Sequence, residues 1–140
     1  MKSNLKKLLL TGCVLVILVV FFVWRWTFRA ADTSVASKKT DVTIESGVLM
    51  KAYFSNEDST NTLYLNKVVA VTGTIDAINE KDQEIQVYLK KKDEMAGVMC
   101  GFYKTEIDKN TIKTGQVITV KGICTGFLMD VVLTKCSILK

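Results

Sequence analysis

The 140-residue sequence predicts a mainly β protein, with one five-stranded barrel preceded by a short helical segment and by one N-terminal transmembrane helix. Three observations predict it. An uncharged apolar run lies near the N-terminus. Apolar residues then recur at intervals of three and four residues, and after Asn66 they recur at every second residue. The length leaves room for one domain of about 100 residues plus appendages.

The N-terminal apolar run is long enough to cross a membrane. Residues 8–24 carry no charge, and residues 25–29 follow as an amphipathic border in which Trp26 lies close to Trp24. A span over residues 8–28 reaches about 20 residues, which covers a hydrocarbon core of about 30 Å. We therefore expect a cytoplasmic basic tip over residues 1–7 and a transmembrane helix over residues 8–28.

Cys13 allows a second interpretation, because the residues Leu10 to Cys13 are similar to a lipobox. In this apolar run only three leucines precede Cys13, whereas a signal needs an apolar core of roughly 7 to 15 residues before cleavage. An uncleaved anchor is favoured over a lipoprotein or a cleaved signal. The basic tip favours a cytoplasmic N-terminus in the bacterial inner membrane, with the domain in the periplasm.

After the membrane segment, residues 29–43 are small and polar without apolar periodicity, which predicts a tether. The domain is assigned to residues 44–140. Its first part predicts a short helix with Ser46 as a cap, and a further helical turn follows near Tyr64; the periodic apolar residues are Val48, Leu49, Ala52 and Tyr53.

Five segments then alternate apolar and polar residues, as half-buried strands do. They cover residues 67–78, 84–90, 97–103, 116–124 and 130–139. Between the third and the fourth, Ile107 and Ile112 lie among polar residues, which indicates a short helix or turn. Five strands with this interruption are typical of the Greek-key OB barrel.

Several short motifs in this region resemble a known family. They are Tyr64-Leu65-Asn66-Lys67, Val71-Thr72-Gly73, Val98-x-Cys100-x-Phe102, Gly115-Gln116-Val117, Lys121-Gly122-x-Cys124-x-Gly126 and Asp130-Val131-Val132-Leu133-x-x-Cys136. Together they resemble the tRNA-anti-like family of bacterial OB-fold proteins, over about Ser46 to Leu139. The resemblance implies the barrel and a preceding membrane anchor, but it implies no biochemical activity.

The charge distribution argues against a nucleic-acid partner. Five of the 19 basic residues lie within the first 29 positions, and the rest of the chain balances 14 lysines against 14 acids and contains no arginine. Phosphate-driven affinity needs a net basic face. We therefore expect a protein or saccharide partner in the cell envelope.

Catalysis is not expected either. The chain has no histidine, which removes the usual general base and the commonest zinc ligand. The carboxylates that an enzyme would need fall in no paired motif; they are Asp76, Glu84, Glu94 and Asp130. The sequence predicts no cofactor, no metal and no catalytic residue.

Three cysteines lie in the predicted barrel. A hairpin turning near Phe127 and Leu128 would place Cys136 opposite Thr119, which puts Cys124 about 17 Å from Cys136. The third and fifth strands of an OB barrel are parallel neighbours, which makes Cys100 with Cys136 the more plausible disulfide. Free buried thiols are the alternative to either pair.

Two surfaces are candidate binding sites. The outward face of the second and third strands would show Tyr88, Met99 and Tyr103, either to stack on a ligand or to cover a sheet edge. The apolar tip Phe127, Leu128 and Met129 either meets a partner or folds back over the barrel mouth. The run Lys90 to Lys92 is interpreted as a solvated loop, since two acids follow it.

Overall fold

The computed structural model describes residues 12, 14–25 and 35–139. The predicted basic tip over residues 1–7, both ends of the predicted transmembrane span, and residues 29–34 of the predicted tether lie outside the described residues. Cys13, the candidate lipidation site, lies outside them as well.

The chain divides into two units after residue 33. In the first, residues 14–25 form a helix, α1, whose large apolar side chains are exposed, from 53% for Val14 to 74% for Phe22. Within the described part of the chain, no helix combines the length and the apolar character needed to cross a membrane.

The second unit is built on six strands and two α-helices. The strands are β1 (Val42–Glu45), β2 (Val68–Lys81), β3 (Glu84–Leu89), β4 (Val98–Tyr103), β5 (Val117–Phe127) and β6 (Val131–Leu139), and the helices are α2 (Ser46–Ser55) and α3 (Glu57–Tyr64). The sheet order is β1-β2-β3-β4-β6-β5, and β5 also pairs with β2. That last pairing closes β2 to β6 into a five-stranded barrel, which confirms the predicted barrel.

The barrel interior is formed by the alternating apolar residues that predicted the strands. On β3 and β4 every second side chain is buried; these are Ile85, Val87, Leu89, Val98, Cys100 and Phe102. A bulge between Ile75 and Ala77 bends β2, so that its first half pairs with β5 and its second half with β3. A 3-10 helix, Lys109–Thr111, lies between β4 and β5, as predicted.

Helix α2 packs against the barrel core. Leu49, Met50 and Tyr53 are buried in the same apolar cluster as the strands. Glu45, rather than the predicted Ser46, occupies the N-cap position. Ser46 is instead buried against Gly73, where an added Cβ would lie 2.7 Å from its Oγ.

Residues 35–43, assigned to the tether by the sequence pattern, belong to the folded domain. Val35 is fully buried in the 3-10 helix Val35–Ser37, and β1 pairs in parallel with β2 from Val42 onward. This segment is held by backbone hydrogen bonds and by the distant Lys121, so its own side chains need no apolar periodicity. Its sequence therefore looks like that of a tether.

The register of the last hairpin also differs from the prediction. Thr119 pairs with Leu139, and Cys124 pairs with Leu133. The turn lies at residues 128–130 rather than at Phe127 and Leu128, and two register shifts fall within the hairpin, between Lys121 and Ile123 and between Cys124 and Gly126. Bulges of this kind leave no sign in an alternating sequence.

Candidate ligand-binding face and basic groove

The outward side chains of β3 and β4 form one continuous surface. Tyr88 pairs with Met99, Gln86 with Gly101, and Glu84 with Tyr103. The three predicted site residues, Tyr88, Met99 and Tyr103, are all half-buried and lie on this surface. We call the surface formed by Gln86, Tyr88, Met99, Gly101 and Tyr103 the β3–β4 face.

A gap in the middle of the β3–β4 face is produced by Gly101. A Cβ added there would meet nothing closer than the Leu133 carbonyl oxygen at 3.6 Å. Met99 and Tyr103 lie four residues apart on β4, which is about 13 Å along a strand. The face therefore has tyrosines at both ends and a shallow centre beside the Glu84 carboxylate, which suits contact with a ring or an extended chain.

The three residues of the predicted apolar tip lie in two different environments. Phe127 folds back onto α2, where its ring stacks on Tyr53 at 5.4 Å between centroids and meets Phe54 edge-on at 5.6 Å. Leu128 and Met129 are exposed by 86% and 82%. The two interpretations of this tip thus apply to different residues. Phe127 folds back over the domain, whereas Leu128 and Met129 point to solvent.

Tyr53, beneath this tip, has a structural role. Its hydroxyl lies 3.4 Å from Cys124 Sγ, and the side chain is almost fully buried. Burial, and then the hydrogen bond with Cys124, raises the pKa of Tyr53 well above 10.0. The hydroxyl is therefore neutral at physiological pH.

The three barrel cysteines are free and buried. The predicted parallel pairing of the third and fifth barrel strands is confirmed by β4 and β6, with Cys100 opposite Leu133. Cys136 lies beside Cys100, and burial, followed by the interaction with Cys100, raises the pKa of Cys136 well above its ordinary 9.0. The predicted pair is thus adjacent, although the structure has both as thiols.

A groove that the sequence analysis missed lies where β2 bends. It has a volume of about 440 Å³ and is lined by Thr74, Ile75, Asp76, Lys90, Lys91, Lys92, Thr114 and Gly115. We call it the lysine groove. Lys90 Nζ lies 3.6 Å from Asp76 Oδ2. The run Lys90 to Lys92 was the one sequence feature that could have indicated this groove. Only the fold brings the run beside residues 74–76 and 114–115.

The carboxylates considered for catalysis have other partners. Asp76 pairs with Lys90, Glu94 accepts a hydrogen bond from the Lys91 amide, and Asp130 accepts one from the Gly97 amide at 2.8 Å. Glu84 lies opposite Tyr103 at the end of the β3–β4 face. In the described ranges, His, Cys, Asp and Glu form no group of three that could hold a metal ion.

Near the end of β2, one carboxylate pairs with two lysines that follow β4. Glu80 Oε1 lies 2.6 Å from Lys104 Nζ, and its Oε2 lies 3.5 Å from Lys109 Nζ. The hydrogen bond from Lys104, followed by its charge, lowers the pKa of Glu80. Two ammonium groups against one carboxylate leave one positive charge in this cluster.

A five-stranded barrel with this strand order and with an outward sheet face of this kind defines an OB-fold domain. The chain belongs to the tRNA_anti-like family, whose model matches residues 1–138. No curated protein is significantly similar to the chain in sequence.

Solved structures are similar to this chain. One is a presumed nucleic acid-binding lipoprotein from Klebsiella pneumoniae, with a TM-score of 0.60 and 20% identity over 76% of this chain and 95% of that chain. Another is the Stn1–Ten1 complex of S. pombe, with a TM-score of 0.41 and 19% identity over 52% of this chain and 58% of that chain. At 20% identity the similarity to the lipoprotein shows the fold alone.

Proposed function

We propose that this protein is a membrane-anchored, non-catalytic OB-fold binding module of the bacterial cell envelope, which binds a protein or saccharide through the β3–β4 face. One observation carries the proposal: Tyr88, Met99 and Tyr103 share one outward face, around the gap left by Gly101. Two paired strands of a closed barrel hold these side chains in fixed positions. Such a surface favours binding with little loss of conformational entropy.

The anchor is part of the proposal. The apolar side chains of α1 are all more than half exposed, and such a continuous apolar surface favours burial in lipid. Residues 8–28 would cross the inner membrane, with residues 1–7 in the cytoplasm and the barrel in the periplasm. The basic residues at the N-terminus support this orientation.

The choice of binding over catalysis rests on the composition and on the carboxylates. The chain contains no histidine. Asp76, Glu94 and Asp130 each hold a loop or strand end in place, which leaves them poorly suited to proton transfer.

Site-specific photocrosslinking tests the β3–β4 face. A photoreactive amino acid at Tyr88 or Tyr103, in cells, should give one adduct that saturates as expression rises. The same group at Lys51, an exposed position on α2, is the matched control. Identical adduct patterns at Tyr88 and Lys51 would contradict the proposal.

Single-stranded nucleic acid is the second candidate ligand. Tyr88 and Tyr103 could stack on bases, and the similar lipoprotein from Klebsiella pneumoniae is described as a presumed nucleic acid binder. Oligonucleotide binding by the full chain should then weaken steeply with salt and fall on Tyr88→Ala. Binding that is absent, or insensitive to salt, would eliminate this candidate.

A further inference from the structure

The lysine groove adjoins the β3–β4 face. Lys90 follows Tyr88 by two positions and comes directly after Leu89, the last residue of β3. The Lys90 amide donates a hydrogen bond to the Thr74 carbonyl oxygen at 3.0 Å, which fixes this corner of the groove against β2. A ligand lying on Tyr88 could therefore extend into the groove.

The groove carries a local excess of positive charge. Three lysines line it against one carboxylate, Asp76, which is paired with Lys90. Of the other acids in this loop, Glu94 is hydrogen-bonded to the Lys91 amide, and Asp93 does not line the groove. The ammonium groups of Lys91 and Lys92 are exposed and can meet an anion as point charges.

The groove also suits hydroxyl groups. Its volume of about 440 Å³ lies within the range of small-molecule sites, so it can hold more than a single inorganic ion. Thr74 and Thr114 carry hydroxyls that donate or accept, and Asp76 is acceptor-only. A sugar hydroxyl can donate to Asp76, whereas a second anionic group there would be repelled.

We propose that the lysine groove binds the phosphate group of a phosphorylated saccharide whose ring contacts Tyr88. The proposal deepens the proposed function and rests on it, since it names the class of ligand that the β3–β4 face receives. One small basic groove in a domain with as many acids as lysines matches one phosphate better than a polyanionic strand.

The test is a titration of the full chain in micelles of an uncharged detergent, followed by amide NMR. Glucose 1-phosphate should shift the amide signals of Thr74, Lys91 and Gly115, and it should bind more tightly than glucose or inorganic phosphate alone. The double variant Lys91→Gln/Lys92→Gln should weaken binding on the order of tenfold. The double variant Lys51→Gln/Lys67→Gln loses the same charge at exposed positions outside the groove and should leave binding unchanged.

Equal weakening in the two double variants, or equal binding of glucose and glucose 1-phosphate, would overturn the proposal. Tighter, groove-dependent binding of a thymidine oligonucleotide would also overturn it, in favour of nucleic acid. Phosphatidylglycerol added to the micelles distinguishes the sources of the phosphate, since competition supports a lipid headgroup and its absence supports a soluble ligand.

The proposed function is tested separately by the photocrosslinks at Tyr88 and Tyr103. If these fail while glucose 1-phosphate still shifts Thr74 and Gly115, the groove binds a phosphate but the β3–β4 face is not the partner surface. If the crosslinks succeed and the groove signals do not move, the module binds an uncharged partner.

Discussion

Lys121 is a buried charge with an identifiable structural role. The residue is only 5% exposed, and its Nζ donates hydrogen bonds to the carbonyl oxygens of Ala36 and Lys38, each at 2.8 Å. A buried ammonium is tolerated only when hydrogen bonds replace its hydration. These two bonds fasten the segment that precedes β1 to the outside of β5.

Lys121→Met should release this segment without unfolding the barrel. Methionine keeps most of the side-chain volume but donates no hydrogen bond, so two carbonyl groups lose their partner. We expect the free energy of unfolding to fall by about 2 kcal/mol, and amide exchange to increase at Lys38 and Asp41. Denaturant unfolding and hydrogen exchange measure these effects.

The exposed Lys51→Met is the control, and it should change neither quantity. Unaltered exchange at Lys38 and Asp41 in Lys121→Met would contradict the assigned role.

Because the pKa of Tyr53 is raised in the folded state, we expect the protein to lose stability at alkaline pH. Burial raises this pKa, whereas in the unfolded chain Tyr53 titrates near 10.0. Above that pH the unfolded state loses the proton first, so the stability present below pH 10.0 decreases by up to about 1.4 kcal/mol per pH unit from this group. Tyr53→Phe should lose less stability between pH 10 and 11, as measured by urea unfolding. Equal losses in the two proteins would contradict this assignment.

At the scale of secondary structure elements, two strand glycines provide a matched comparison. A Cβ on Gly122 would lie 2.6 Å from Cys136 Sγ and 3.0 Å from Leu133 Cβ, whereas one on Gly101 would meet only ordinary contacts. Gly122→Ala should therefore lower the free energy of unfolding by about 1 to 3 kcal/mol through overpacking between β5 and β6. Gly101→Ala should leave it unchanged or slightly higher. Similar urea midpoints for the two variants would contradict the packing described for this hairpin.

The burial of the three barrel cysteines between the strands predicts how they react with thiol reagents. Cys100, Cys124 and Cys136 have no exposed surface, and the raised pKa of Cys136 disfavours the reactive thiolate. We expect none of the three to react with a thiol reagent at pH 7 until denaturant is added. A change in gel mobility on reduction would show a disulfide instead, and would contradict the free thiols.

Alternation of apolar residues was enough to predict β2 to β6, because each strand turns alternate side chains into the barrel, although β2 also buries the four consecutive residues Val68 to Val71. It could not predict β1, which is held by backbone pairing to β2 and whose side chains are only partly buried. It also gave the wrong register for β5 and β6, because the turn lies at residues 128–130 rather than at Phe127 and Leu128, and alternation alone does not locate a turn.

At the scale of the whole molecule, the sequence was enough to predict the part of the candidate site that lies on two neighbouring strands. Tyr88, Met99 and Tyr103 follow from alternation along β3 and β4 alone. The lysine groove draws on three separate segments, around Thr74, Lys91 and Gly115, and only barrel closure brings them together. The net charge of the chain indicated little about this groove, because acids elsewhere balance its lysines.

We propose that an N-terminal anchor holds the barrel outside the cytosol, where the β3–β4 face can meet an envelope ligand. Protease added to intact spheroplasts that carry the protein with a C-terminal epitope tests it most directly. We predict loss of the epitope while a cytoplasmic marker protein stays intact. An epitope that survives until the spheroplasts are lysed would contradict the claim.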